Sequence, residues 1–241
     1  MREISAKRVR RTLRKYELAD WDVDLSVTYR LRMVGVTDPY QLLDRMLENN
    51  TEHQESVRFP YWAEIWPSSI ALGSWFLENS VEVADHLLSD LARSQGVLEL
   101  GCGLGLLGIC IARAGWQVTA TDFVEDALIF SAHNAARNGA SARHRVSYLD
   151  WRRPVGAPVR CIVGADLVYE RANHQILINL LRQLLLPGGR FILGDPRRPM
   201  ARHFCRLLVD QGYVHRLQSR QVCWKSTSHQ VHIHVFDKPD S

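Results

Sequence analysis

The stretch Val97-Leu98-Glu99-Leu100-Gly101-Cys102-Gly103-Leu104-Gly105 decides the fold of this chain. Four residues typical of a buried strand run directly into a loop in which every second residue is glycine. Glycine lets the backbone turn sharply and approach a ligand without obstruction by a Cβ atom, and a helix that follows presents free N–H groups at its first turn. The sequence therefore predicts a cofactor-binding loop between a strand and a helix.

The spacing of the glycines does not by itself identify the cofactor. Gly103, Gly105 and Gly108 also satisfy the Gly-x-Gly-x-x-Gly fingerprint of dinucleotide-binding proteins. Asp122 ends the next predicted strand, about 20 residues beyond the loop, where a carboxylate can accept hydrogen bonds from both ribose hydroxyls. We therefore expect a cofactor that contains adenosine, of either kind.

Strands and helices alternate beyond the loop, and this pattern indicates βαβ units and a parallel sheet. The chain ends differently, because two strands follow each other directly and predict an antiparallel hairpin at the sheet edge. The predicted strands are 97–100, 117–121, 145–149, 160–165, 190–193, 213–222 and 230–236, and the predicted helices are 68–77, 82–92, 106–114, 124–138, 173–186 and 199–211.

Residues 1–58 are predicted to form an N-terminal extension to a domain at 59–241. Residues 1–20 suggest a short basic helix, and apolar residues that alternate from Trp21 to Met33 indicate a strand or hairpin arm. Asp38-Pro39 is typical of a helix start, and this helix should run to about Glu48.

Composition restricts the class of protein. Hydrophobic residues make up 46% and charged residues 23% of the chain, as in ordinary soluble domains. The apolar stretches are shorter than the roughly 20 residues that a membrane span needs. The basic N-terminus lacks the apolar centre of a secretory signal, so we expect a cytoplasmic protein; an organelle transit peptide is the alternative, but the helical periodicity there favours a structural role. The five cysteines read as reduced thiols.

The sequence predicts no metal site. The cysteines lack Cys-x-x-Cys spacing, and His232 and His234, which should share one face of the last strand, have no third ligand at a usual spacing. The net charge of +4 is mild and lies largely in the N-terminus, so nucleic-acid binding is permitted but not required.

The chain resembles the class I, seven-β-strand S-adenosylmethionine-dependent methyltransferases. Glu99 precedes the first glycine by two residues, as in the Glu/Asp-x-Gly-x-Gly-x-Gly loop of that family. The stretches that resemble the family's landmarks in order are 97–113, 121–122, 134–139, 150–151, 165–170 and 186–190. The resemblance implies a Rossmann-like, doubly wound α/β fold with a seven-stranded sheet and S-adenosyl-L-methionine as cofactor. A dehydrogenase would usually need a second catalytic domain, which this length scarcely permits.

The resemblance also implies which residues hold the cofactor. Asp150 would accept a hydrogen bond from the adenine amino group, and the neighbouring Trp151 would cover the purine face. Trp66 would pack over the cofactor from the preceding aromatic segment. The full set of expected cofactor-binding residues is Trp66, Glu99, Gly101, Gly103, Gly105, Asp122, Phe123, Asp150, Trp151 and Ala165.

Two stretches resemble the protein-lysine branch of these enzymes: the aromatic segment 59–69 and the motif Asp166-Leu167-Val168-Tyr169. The run Gly194-Asp195-Pro196-x-Arg198 adds a likeness to the electron-transfer-flavoprotein β-subunit lysine methyltransferases and their bacterial relatives, although the glycine loop here is richer in glycine. The likeness implies Asp166 and Tyr169 as catalytic residues that orient the acceptor amine and line its channel. The acceptor is then expected to be a protein lysine.

Two other functions remain open from the sequence. A methyltransferase of small amines or other metabolites would have the same cofactor half. A nucleic-acid-binding or scaffold protein that lost catalysis is suggested by the basic N-terminus, whereas the intact set Glu99, Gly101, Gly103, Asp122 and Asp150 favours retained cofactor binding.

Overall fold

The computed structural model describes residues 4–49, 59–78 and 96–240, so the helix predicted at 82–92 lies outside the described residues. The helices of the described part are α1 (Ala6–Leu13), α2 (Pro39–Asn49), α3 (Pro67–Glu78), α4 (Leu106–Arg113), α5 (Glu125–Arg137), α6 (Ala172–Leu184) and α7 (Pro199–Val209). The strands are β1 (Leu18–Asp24), β2 (Arg30–Val36), β3 (Val97–Leu100), β4 (Val118–Asp122), β5 (His144–Tyr148), β6 (Val159–Ala165), β7 (Leu185–Asp195), β8 (Val214–Trp224) and β9 (Thr227–Asp237).

Seven strands form one sheet in the order β5-β4-β3-β6-β7-β9-β8. The first five are parallel, and β9 inserts antiparallel between β7 and the edge strand β8. This confirms the predicted doubly wound α/β sheet and its C-terminal antiparallel hairpin. Along the chain, β4 and β5 are added on one side of β3, whereas β6 and the strands after it are added on the other side. Ligands of such sheets bind at the carboxyl ends of the strands beside this switch point, which is where the glycine loop lies.

Strand β7 is longer than its sequence pattern predicts. The prediction was a strand at 190–193 after a helix that ends at 186, but α6 stops at Leu184 and β7 begins at once, with Leu185 opposite Val159. The Lys238 ammonium donates to the carbonyl oxygens of Leu181 (3.3 Å), Arg182 (3.1 Å) and Leu185 (2.5 Å). A cation at the C-terminus of a helix stabilises its free carbonyl groups. Lys238 does so for α6, although it lies 53 positions beyond Leu185, and the helix ends before the predicted residue 186.

The N-terminal extension forms a two-stranded antiparallel hairpin, as the alternation predicted, with Leu18 opposite Val36. Its inner side chains, including Met33, join the same apolar core as α3 and α4. The buried Asn134 on α5 ties the hairpin down: its side chain bonds both the N–H (2.8 Å) and the carbonyl (2.9 Å) of Val34. The hairpin therefore closes one side of the sheet's core.

The basic helix α1 docks on the acidic N-terminus of α5. Arg8 pairs with Glu125 (2.8 Å) and Lys15 with Asp126 (2.9 Å), while the Tyr16 hydroxyl donates to Asp126 (2.6 Å). Part of the N-terminal positive charge is thus satisfied within the chain. Among the described residues, the helices lack the length and apolar character that a membrane crossing requires.

Candidate active site

A cavity of about 670 Å³ opens at the carboxyl edge of the sheet. Its size falls within the range of about 300–1,000 Å³ that is typical of small-molecule sites. The glycine loop and the end of β4 form one part of the wall, and the aromatic segment and the β6–α6 loop form another. The predicted site residues on this wall are Trp66, Glu99, Gly101, Gly103, Asp122, Phe123, Trp151, Ala165, Asp166 and Tyr169.

The glycine loop is shaped by left-handed backbone that favours glycine. Gly101 has φ +62° and Gly103 has φ +51°. A Cβ at Gly103 would lie 3.0 Å from the carbonyl oxygen of Trp62, and one at Gly101 would lie 3.1 Å from Leu167 Cδ2. Gly105 (φ +90°) does not reach the cavity wall; it opens α4 and packs against Ser131. The first two glycines therefore leave a cradle of bare backbone, and the third joins the loop to the helix.

Asp122 is fixed beside this cradle at the end of β4. One carboxylate oxygen accepts a hydrogen bond from the backbone N–H of Gly103 (3.1 Å), and the other accepts one from Val124 (2.9 Å). Burial raises the pKa of Asp122, and the backbone donors oppose that rise. Each oxygen keeps a lone pair for a further donor, so the carboxylate fits the pair of ribose hydroxyls of an adenosine cofactor.

Glu99 is buried on β3 behind the loop. Its pKa is raised to about 8, mainly by burial and also by the nearby Asp122 charge, while the backbone N–H of Gly108 opposes the rise. Within the described part of the chain, its Oε2 atom has no hydrogen-bond partner. A buried polar atom without a partner costs free energy unless a ligand or water satisfies it. Glu99 lines the cavity, but this oxygen lies against Gly108 and near the ring of His144, and neither of these residues is on the cavity wall.

Asp150 and Trp151 follow β5, and their surroundings differ. Trp151 lies on the cavity wall. Asp150 does not line the cavity, and its carboxylate is held by Arg152 through Nη2 (2.7 Å) and Nε (2.9 Å). Arg152 also holds the pKa of Asp150 below its usual range. The expected contact between Asp150 and the adenine amino group thus stays a prediction. It requires the Asp150 carboxylate to accept from Arg152 and from the adenine at the same time.

Asp166 follows β6 at the centre of the cavity wall and is almost fully buried. It has φ +58°, which is uncommon for a residue with a side chain and is often found at functional sites. Its Oδ1 accepts from Arg198 Nε (2.7 Å) and its Oδ2 accepts from Ser68 Oγ (3.3 Å). Burial raises the pKa of Asp166, while Arg198 and Ser68 oppose the rise.

Aromatic rings line the same cavity as this carboxylate. The centroids of Tyr169 and Tyr61 lie 4.8 Å apart, and the Trp66 indole N–H donates to the carbonyl of Tyr61 (2.9 Å). The Arg198 guanidinium lies 5.9 Å from the Trp66 ring centroid. The sequence did not single out Tyr61 or Arg198 as site residues, although both lie in stretches whose resemblance was noted.

Cys205, His215 and His234 lie together on the sheet face under α7, where the sequence had suggested no metal. His215 Nε2 and His234 Nδ1 are 3.0 Å apart, and the two rings are nearly parallel, with centroids 5.2 Å apart. The centroid separation is about the N–N distance plus the two ring radii, so the nitrogens face each other head-on. That is the geometry of a hydrogen bond, whereas two lone pairs that bind one ion must converge on it.

The sheet order, the glycine loop and the acidic residue after β4 together define the fold of a class I S-adenosylmethionine-dependent methyltransferase. Solved structures share this fold: a putative RNA methyltransferase from Pyrococcus horikoshii (TM-score 0.56, 15% identity, 74% of this chain and 87% of that one) and the magnesium protoporphyrin IX methyltransferase of Synechocystis with bound S-adenosylmethionine (TM-score 0.56, 16% identity, 83% and 93%). At such identities the likeness concerns the fold alone.

The chain belongs to the lysine methyltransferase family, whose model matches residues 36–209. It is 28% identical over 163 residues to the mouse EEF1A lysine methyltransferase 3, over 66% of each chain. It is 32% identical over 124 residues to the protein-lysine N-methyltransferase rrg1 of Schizosaccharomyces pombe, over 45% of this chain and 41% of that one. A ubiquinone biosynthesis O-methyltransferase of Xylella fastidiosa is 30% identical over 122 residues, 50% and 49% of the two chains. The chain thus spans less than two thirds of each relative's length.

Proposed function

We propose that this protein transfers a methyl group from S-adenosyl-L-methionine to the side-chain amine of a lysine in another protein. Family membership and the relatives named as protein-lysine methyltransferases support the lysine acceptor. The observation that carries the proposal is the position of Asp166, a buried carboxylate on the wall of the cavity that the glycine cradle, Tyr61 and Tyr169 also line.

The residues around the cradle fit the cofactor. Gly101 and Gly103 keep the loop in left-handed backbone on the cavity wall, and Asp122 offers two fixed oxygens for ribose hydroxyls. Phe123, 61% exposed on the cavity wall, supplies an apolar surface for a purine. When bound, S-adenosylmethionine would supply an activated methyl group: a neutral amine attacks the methyl carbon in line while the sulfur leaves as a neutral thioether with the electron pair of the broken C–S bond. Such a reaction depends on alignment rather than on an enzyme nucleophile.

The remaining wall fits a lysine side chain. A lysine has a reference pKa near 10.4, so its amine must lose a proton before it can attack. Aromatic rings attract a lysine ammonium through their faces and pack against its methylene groups. Asp166 would accept a hydrogen bond from the amine and orient it, and Tyr169 would line its path from Tyr61 inward. These are the roles that we propose for the two catalytic residues.

Transfer of radioactive methyl groups tests the proposal. The protein is incubated with S-adenosylmethionine labelled on the methyl group and a cell lysate, and the proteins are then separated and hydrolysed to amino acids. We expect label in discrete protein bands, recovered as methylated lysine, and its loss with Asp166→Ala. Label that appears in small metabolites after exhaustive removal of protein, with none on lysine, would contradict the lysine acceptor.

Calorimetry separates an enzyme from a scaffold. Binding of S-adenosylmethionine or S-adenosylhomocysteine by the wild type supports an enzyme that uses this cavity. The absence of any binding heat, with the protein shown to be folded, would instead favour a non-catalytic protein that retains the fold.

We also propose that the protein acts in the cytoplasm. All five cysteines are free thiols and four of them are buried, which suits a reducing compartment. Fractionation of cells that express the tagged full-length protein tests this location, and recovery in an organelle fraction would contradict it.

A further inference from the structure

Arg198 holds a position in the cavity that no role described so far requires. It lies just before α7, where its backbone N–H donates to Asp195 Oδ2 (2.9 Å). Its side chain reaches across to Asp166, with Nε 2.7 Å from Oδ1, and its guanidinium lies over Trp66. Arg198 itself lines the cavity, so a fixed positive charge stands where the acceptor amine would arrive.

Other polar groups surround Asp166 from each neighbouring element. Ser68 of α3 donates to its second oxygen. Asp195 at the end of β7 is a second carboxylate nearby, and its pKa is raised to about 6 by burial and by the charge of Asp166. The other residues with polar side-chain groups on the cavity wall, outside the glycine loop and the end of β4, include Tyr61, Glu64, Ser69, Tyr169 and Glu170. Arg198 is the cation that directly contacts Asp166 among the described residues.

The net charge at Asp166 decides whether the site holds a lysine as an ammonium ion or as a neutral amine. An unpaired carboxylate stabilises an ammonium ion, and an ammonium ion has no lone pair with which to attack a methyl group. A carboxylate paired with arginine still accepts a hydrogen bond through its free lone pairs, but its charge is cancelled. Arginine keeps its proton at every pH at which proteins are stable, so this cancellation does not vary with pH.

We infer that Arg198 is a positioning residue of the proposed reaction: it pairs with Asp166, cancels the charge of that carboxylate, and so lets the site hold the acceptor lysine as a neutral amine rather than as an ammonium ion. The inference rests on the proposed function and deepens it, because it assigns the control of the acceptor's protonation to the β7–α7 loop. Asp166 orients the amine, and Arg198 acts through Asp166.

The experiment compares Arg198→Gln, Arg198→Lys and a matched control, Arg197→Gln. Arg197 is the adjacent arginine, and its side chain bonds Gln230 instead of the cavity carboxylate. Arg197→Gln therefore removes the same charge one residue away. Cofactor affinity measured by calorimetry should remain within about threefold in all three variants, because Arg198 lies on the acceptor side of the cavity.

The first readout needs no acceptor. The carboxyl carbon of Asp166 is titrated by NMR, with Asp166→Asn used to assign its resonance. Loss of an opposite charge in contact should move its titration midpoint upward by about one pH unit or more in Arg198→Gln. Arg198→Lys and Arg197→Gln should titrate close to the wild type. An unchanged midpoint in Arg198→Gln would overturn the inference.

The second readout uses the acceptor protein identified by methyl labelling. The single-turnover rate is measured against pH at saturating cofactor. In Arg198→Gln the rise of the rate should move to higher pH by about one unit, because an uncancelled carboxylate stabilises the acceptor ammonium. Arg198→Lys should keep the wild-type pH profile at a lower rate. A uniform loss of rate at every pH in Arg198→Gln would indicate a merely structural role and overturn the inference, whereas failure of the wild type to methylate any lysine would overturn the proposed function itself.

Discussion

Asp122 and Asp166 are both buried carboxylates at the ends of parallel strands, but their neighbours differ. Asp122 is held by backbone N–H groups of the glycine cradle, and Asp166 is held by side chains of α3 and of the β7–α7 loop. Removing an oxygen that accepts hydrogen bonds from a ligand costs about 1.5–3 kcal/mol, or about 10- to 150-fold in affinity. We therefore expect Asp122→Ala to weaken S-adenosylmethionine binding by that factor in calorimetry.

Asp166→Ala should behave in the opposite way. Its carboxylate faces the acceptor side, so the turnover should fall at least about tenfold while cofactor affinity stays nearly intact. Quantification of methylated lysine together with calorimetry measures both. If Asp166→Ala abolishes cofactor binding in a protein that still unfolds cooperatively, the separation of roles between the two carboxylates is wrong.

Glu99 gives a pH dependence whose sign follows from its environment. Its pKa is about 8 in the folded protein against an ordinary value of 4.5, so between these values the folded state holds a proton that the unfolded state has released. Stability contributed by this group therefore falls as pH rises from about 4.5 to about 8. Glu99→Gln should lack this pH-dependent contribution. In urea unfolding without cofactor, the free energy of unfolding of Glu99→Gln minus that of the wild type should therefore increase from pH 5.5 to pH 8.

The comparison with Glu99→Gln isolates one group among several that titrate. His234, for example, has a pKa lowered to about 4, mainly by burial, and should contribute equally to both proteins. A stability difference between the two proteins that does not vary with pH would contradict the raised pKa of Glu99.

Part of the cavity wall could be predicted from local sequence. The glycine loop and the strand ends lie at fixed spacings along the chain, and these spacings are enough to place Glu99, Gly101, Gly103 and Asp122. Arg198 and Tyr61 could not be placed in this way, because their contacts with Asp166 and Tyr169 depend on how the β7–α7 loop and the aromatic segment fold over the sheet. The expected contact of Asp150 with adenine stays a prediction, and no sequence pattern indicated that Arg152, two residues later, binds the Asp150 carboxylate.

At the scale of elements, Gly105 joins the cofactor loop to α4 through close packing. It has φ +90°, and an added Cβ would lie 2.8 Å from the Cα of Ser131 on α5. Gly105→Ala should lower the free energy of unfolding by about 2–5 kcal/mol, because backbone strain of about 1–2 kcal/mol adds to an overpacked contact of about 1–3 kcal/mol. Urea unfolding measures the change.

Gly115→Ala is the matched control for this prediction. Gly115 has a similar φ of +99°, but nothing lies within 4 Å of its Cβ position. It should therefore show the backbone strain alone, about 1–2 kcal/mol. Equal losses in the two variants would mean that the contact with Ser131 relaxes freely and that α4 is not fixed there.

The element boundaries show what periodicity can and cannot predict. Helix α5 and strand β6 lie within one residue of their predicted ranges, because their apolar residues repeat regularly. Strand β7 was predicted too short, because its first residues gain strand structure by pairing with Val159 and because Lys238 satisfies the end of α6. Both causes lie far away in sequence.

At the scale of the whole molecule, one buried side chain joins the N-terminal hairpin to the sheet domain. Asn134 is fully buried and bonds Val34 twice and the carbonyl of Leu104 (3.0 Å). Asn134→Ala would leave buried backbone groups without partners at about 1–3 kcal/mol each. We expect a loss of about 3 kcal/mol in the free energy of unfolding and faster amide exchange at Val34.

Asn138→Ala provides the comparison on the same helix. Asn138 bonds Arg32 of the hairpin at a more exposed position, where water can replace the lost partner. Its loss should be about 1 kcal/mol or less. A larger effect there than at Asn134 would show that the hairpin is held mainly from its outer end.

The chain contains only four lysines, and three of them have contacts that bear on whether the enzyme would methylate its own side chains. Lys238 is committed to the end of α6, Lys15 to Asp126, and Lys225 lies 5.9 Å from the ring centroid of Trp21. An enzyme that modifies lysines thus offers few free amines of its own to a second copy. Radioactivity at the mass of the enzyme itself should be faint, and bands from a lysate can be interpreted against a clean background.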